Sequence, residues 1–122
     1  MDPTHSQALR ELLDRQAIWQ VLQRLARGLD RLDVELVRSC YFDDAVDDHG
    51  HYVGDPDGFI AWANETARQF RWTHHALTTH NCELAGDDAY CETYFLYVGV
   101  RETAAPLPLL RALRGPLPAP PG

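Results

Sequence analysis

The chain has 122 residues, 45% apolar and 24% charged, which suits one compact domain of ordinary globular composition. Its 18 acidic against 11 basic residues leave a formal charge of −7, and an acidic surface repels a phosphate backbone, which argues against nucleic-acid binding. No apolar run reaches the roughly 18 residues of a membrane span. The polar start MDPTHSQALRELLDR also lacks a signal-peptide core, so we expect a cytoplasmic protein with no membrane partner.

In chain order, Thr4 to Gln7 has the form of a capping box. Leu9, Leu13, Ala17, Val21 and Leu25 then recur at four-residue steps, widened by Ile18, Leu22 and Leu29. That spacing predicts one long amphipathic helix, weakened by Gly28 and ending near Asp30. Asp33 is placed to cap a short second helix from Val34 to about Cys40. FDDAVDDHGHYVGD is turn-rich, with extended pieces at Ala45–Asp47 and Tyr52–Val53 and a small hairpin around His49–Gly50. Asp55-Pro56 is an N-cap acid followed by proline at the first helical position, and predicts a helix from Pro56 to Phe70. Two extended segments follow, Thr73–Leu84 and Ala89–Val100, joined by a tight turn at Ala85-Gly86-Asp87-Asp88. The expected architecture is α+β, with helices packed on one face of an antiparallel sheet.

The pattern changes after Val100. Residues 1–100 carry 17 acids against 8 arginines, whereas residues 101–122 carry one acid against three arginines. Six of the eight prolines fall in the last 17 residues. We therefore expect a domain over residues 1–100 and an irregular tail over 101–122, with the chemistry in the first hundred residues.

No glycine-rich phosphate loop, nucleophile elbow or H-E-x-x-H helix is present, which removes common nucleotide, hydrolase and zinc-protease classes. Cys40, Cys82 and Cys91 are odd in number, lack C-x-x-C spacing, and read as reduced, buried thiols. The ionisable candidates are Asp30, Asp47, Asp48, His49, His51, His74, His75 and His80. Alternation along 73–84 puts His75, Leu77, Thr79 and Asn81 on one face and His74, Ala76, Thr78 and His80 on the other. Only one of the adjacent histidines can then face a core or pocket. Asp30 could partner it, or could simply hold backbone amides at a helix terminus. An Asp–His pair fixes the imidazole tautomer and suits the side chain to proton abstraction near neutral pH. Trp19, Tyr41, Phe59, Trp62, Trp72, Tyr94 and Tyr97 could wall a cavity around an apolar or aromatic ligand, or could be plain core. DDHGH reads as a turn with solvated acids. Its rival, a metal site from Asp47 or Asp48 with His49 and His51, lacks a specific ligand spacing, so no metal is expected.

Taken together, QAIWQVLQRLARGLDRLDVELVRSCYFDDAVDDHG, YVGDPDGFIAWA and THHALTTHNCELAGDDAYCETYFLYV resemble SnoaL-like proteins of the nuclear-transport-factor-2-like superfamily. The nearest flavour is the branch of scytalone dehydratase and hexachlorocyclohexane dehydrochlorinase, over roughly residues 7–100. The resemblance implies a cone in which a curved antiparallel sheet wraps three helices around an apolar pocket. It also implies an aspartate at the end of helix one that orients a histidine base on the first long strand. These fall on Asp30 and His75. Several lyases of the family have a tyrosine near the end of helix one that handles the leaving group, where the nearby positions here are Leu25 and Leu29, and Thr79 stands where many relatives have asparagine. Relatives continue with further strands where this chain has RETAAPLPLLRALRGPLPAPPG, which reads like the product of a truncated or frame-shifted gene. Loss of those strands would leave Ala89–Val100 an apolar edge for a second copy, or the tail, to cover. The implied function is a cofactor-free lyase or isomerase acting on a small cyclic or polyketide-like compound. The alternative is a non-catalytic ligand-binding or assembly module of the same fold, such as an oxygenase small subunit.

Overall fold

Asp2 caps the first helix, α1 (Pro3–Arg31). Its carboxylate accepts the Thr4 amide at 3.1 Å, and Pro3 fills the first turn, where a missing N–H costs nothing. The computed structural model describes residues 2–102. The capping box expected at Thr4–Gln7 is therefore displaced: both residues lie inside α1, and Gln7 donates to Glu11 one turn on at 2.9 Å. The same Asp-Pro signal that marks residue 55 was present at residue 2.

The end of α1 is set by Leu32, in the left-handed region at φ 54, which lets the Asp33 amide reach back to the Gly28 carbonyl at 2.9 Å. Asp33 then caps α2 (Val34–Arg38) by accepting the Leu36 amide at 3.0 Å. Gly28 is buried because α2 crosses it. A Cβ there would meet Val37 Cγ2 at 2.7 Å and the Val37 nitrogen at 3.1 Å. Gly28→Val should therefore cost about 2–3 kcal/mol through overpacking. Thermal unfolding should show a midpoint lower by roughly 8 °C or more for a domain of this size.

A short hairpin of β1 (Asp47–Asp48) and β2 (Val53–Gly54) follows, with Gly50 at φ 75 in its loop. Asp55 caps α3 (Pro56–Ala67) by accepting the Gly58 amide at 2.8 Å. This helix stops three residues short of the expected Phe70, because Phe70 already begins β3 (Phe70–Ala85). β3 pairs antiparallel with β4 (Asp88–Arg101) across the two-residue loop Gly86-Asp87, where Gly86 takes φ 62. The result is α+β with α1 packed against β3, as expected.

The core sits among the helices. Val37, Phe59 and Ile60 are buried, flanked by Leu25, Leu29, Tyr41, Tyr52 and Trp62. Burying Phe59 alone contributes about 1.5–3 kcal/mol. The apolar stripe of α1 is covered only from Ile18 onward, whereas Leu9 and Leu13 are 44% and 59% exposed. Of the three cysteines, Cys40 and Cys82 are half-buried and Cys91, opposite Cys82 in the register, is exposed rather than buried. Among the described residues no helix is long and apolar enough to cross a membrane. The irregular tail expected over 101–122 lies, from residue 103 on, outside the described residues.

Candidate functional site

The last turn of α1 ends against the start of β3, and this junction brings Asp30 to His75. His75 Nδ1 lies 2.6 Å from Asp30 Oδ1. The His75 backbone amide donates to Asp30 Oδ2 at 3.0 Å, and the Thr73 hydroxyl donates to Oδ1 at 3.0 Å. Thr73 is two residues before His75, so the strand's alternation puts both on the face toward the helix. A carboxylate only accepts, so the neutral imidazole carries its proton on Nδ1 and its lone pair on Nε2. Both side chains are mostly shielded, at 15% exposure for Asp30 and 21% for His75, whereas His74 is 63% exposed with its Nδ1 3.9 Å from Asp30 Oδ2.

Tyr97 stands opposite His75 in the β3–β4 register, with ring centroids 4.7 Å apart. Burial, and then the Asp30 charge, push the Tyr97 phenol above its ordinary range, so it stays neutral. Beside the pair lies a cavity of about 390 Å³, lined from α1 by Gln23, Arg27, Asp30 and Arg31 and from β3 by Thr73, His74 and His75. Its wall is polar, not the aromatic wall anticipated from the sequence.

The other aromatic candidates lie elsewhere. Trp19 packs on His80 at 4.8 Å, beside a separate cavity of about 290 Å³. Tyr41 and Phe59 belong to the helical core, and Trp62 stacks on Tyr52 at 6.3 Å. Trp72 and Tyr94 are half exposed. Each sits three residues from a member of the His75–Tyr97 pair, an odd offset that alternation turns to the opposite face. Phe95, two residues from Tyr97, does reach His75, at 5.8 Å, and was missed although the same alternation points to it.

The register between Leu77 and His80 contains an irregularity, and it resets the alternation. His80, Cys82 and Leu84 therefore join His75 and Leu77 as the shielded positions, whereas a strict period of two put His80 on the His74 face. His80 Nδ1 meets the Thr93 hydroxyl at 2.8 Å.

A second Asp–His contact lies in the β1–β2 hairpin. Asp47 is buried, accepts the Tyr41 hydroxyl at 2.8 Å, and hydrogen-bonds His49 Nδ1. The His49 ring stacks on Phe59 at 4.4 Å. Burial, then the Asp47 hydrogen bond and charge, push the Tyr41 phenol far above its ordinary range, so it remains a donor. DDHGH reads as a turn with solvated acids, and Asp48 is exposed accordingly, whereas Asp47 is not. Asp47 is shielded because its strand turns it onto the helical core. Tyr41→Phe would leave the buried carboxylate short of a donor and should cost about 1–3 kcal/mol in denaturant unfolding. Among the described residues no group of three or more His, Cys, Asp or Glu side chains is arranged to hold a metal ion.

The family model of the SnoaL-like domain matches residues 10–114. The chain belongs to this SnoaL-like family. The match takes in residues 101–114, which composition had set apart. The SnoaL-like domain also superposes on the crystal structure of a scytalone dehydratase-like protein from Novosphingobium aromaticivorans DSM 12444, with a TM-score of 0.69 at 15% identity. That superposition covers 79% of this chain and 66% of the other, and it gives the SnoaL-like domain a nuclear-transport-factor-2-like fold. Curated protein sequences give no match.

Proposed function

We propose that this SnoaL-like domain is a small-molecule lyase or isomerase in which His75 is the general base and Asp30 its positioning partner. The observation that carries the proposal is the 2.6 Å contact between His75 Nδ1 and Asp30 Oδ1 beside a cavity. With Nδ1 protonated, Nε2 can take a proton from an acidic C–H of a small cyclic or polyketide-like compound. The C–H electron pair then forms an enolate, or a double bond as a leaving group departs. Asp30 faces the imidazolium and stabilises it as it forms. Side chains alone carry these steps, so no cofactor enters. Tyr97, a neutral phenol against the His75 ring, shields it from water on one side.

The test is deuterium exchange into small cyclic ketones in D2O, followed by NMR. Acceleration by the wild-type protein, absent in His75→Gln, supports the assignment. Equal exchange in both overturns it. A non-catalytic binding module is the second reading. It is favoured by the two donors, the Thr73 hydroxyl and the His75 backbone amide, that make Asp30 a tie between strand and helix. A cytoplasmic location, and a homo-oligomer in which a second copy covers the half-exposed Tyr94 and Leu96 of β4, belong to the same proposal.

A further inference from the structure

We infer that the cavity beside Asp30 and His75 takes an anionic small molecule, a carboxylate-bearing compound whose charged group is held by Arg27 and Arg31. The reacting end of such a ligand rests on the role proposed for His75, whereas the anion site stands on separate observations. Both arginines line the cavity of about 390 Å³, a size within the usual range for small-molecule sites. They are four residues apart, so at about 100° per residue they share one side of α1. Along that arc Asp30 lies toward β3, and Arg27 and then Arg31 follow toward the rim. Both are exposed, as rim residues are.

Charge points the same way. The whole chain is at −7, yet this cavity carries two guanidinium groups against one carboxylate. That carboxylate is already engaged by the Thr73 hydroxyl, the His75 amide and His75 Nδ1. Among the described residues the arginines that form ion pairs are Arg38, with Asp43 and Asp57, and Arg68, with Glu65. Residues 103–122 contain no acidic side chain that could engage Arg27 or Arg31. Guanidinium groups present planar forks matched to carboxylates, and Gln23, one turn before Arg27, adds an amide donor. A carboxylate at the rim directs the body of the ligand inward, toward His75. The same two cations stabilise the negative charge that develops when a neighbouring C–H loses its proton.

The experiment is calorimetric titration with 2-naphthoate and its neutral counterpart 2-naphthamide. Wild type should bind the carboxylate at least about tenfold more tightly, and this preference should shrink as salt screens the rim. In R27Q/R31Q the two affinities should converge, and R27K/R31K should keep part of the preference, since charge remains without the fork. Circular dichroism should match wild type, because exposed side chains are replaced. H75Q should keep the full preference, so a failure of the base leaves the anion site measurable. Equal affinity for the two compounds, binding of neither, or an unchanged preference in R27Q/R31Q would overturn the inference while leaving the His75 exchange test standing.

Discussion

His75→Gln is expected to lower turnover by about 10²–10⁴-fold, the range over which a positioned general base contributes. Glutamine is close in size and can still donate to Asp30, so the junction between α1 and β3 should survive. Its amide has no lone pair able to take a proton near neutral pH. The backbone contact from residue 75 to Asp30 Oδ2, at 3.0 Å, does not involve the side chain and should persist. Loss of activity with an unfolding midpoint within a few degrees of wild type is therefore the expected pair of results. Retained turnover in the folded variant would overturn the assignment and favour the binding module.

Asp30→Asn is expected to reduce turnover by about 10²-fold or more, for a different reason. Asparagine offers one acceptor oxygen and an NH2 group that only donates. If the oxygen takes the Oδ2 place it keeps the His75 amide, and the NH2 group, in the Oδ1 place, faces His75 Nδ1 and requires it to accept while the Thr73 hydroxyl turns to accept as well. The imidazole proton then moves to Nε2, the atom that must hold the lone pair. Nitrogen NMR of the imidazole reads this tautomer directly, and a purely structural role for Asp30 would not move it. Stability should fall by about 1–3 kcal/mol, because Asp30 gathers its donors in a mostly shielded junction. An unchanged tautomer with normal turnover would return Asp30 to the role of a tie between helix and strand.

Several features of the SnoaL-like domain follow from neighbours in sequence. Asp33 and Asp55 cap helices through the amides three residues on, a purely local contact. Gly86 opens the β3–β4 hairpin because a two-residue loop demands a positive φ. Asp30 at the end of α1 and His75 on β3 were both singled out. Period alone left His74 and His75 as alternatives, and the family resemblance chose between them.

The missing parts depend on chain segments far apart. Asp30 and His75 are separated by 45 residues, and no spacing rule states that they touch. The aromatic candidates were gathered by type, but strand phase and helix position disperse them. Tyr97 reaches His75 across the ladder, whereas Trp72 and Tyr94 are half exposed. His80 changed sides because one irregularity in the register shifts every later side chain on a strand with a period of two.

Composition, caps and periodicity thus determined the α+β class, the order of the elements and the acid and base candidates, because each depends on residues within a few positions of one another. Tertiary structure alone decided that Asp47 is buried under Tyr41, that Gly28 makes room for Val37, and that Arg27 and Arg31 share a cavity with Asp30 and His75. Those relations arise when separate elements pack, and packing depends on shape and burial across the whole domain rather than on spacing along the chain.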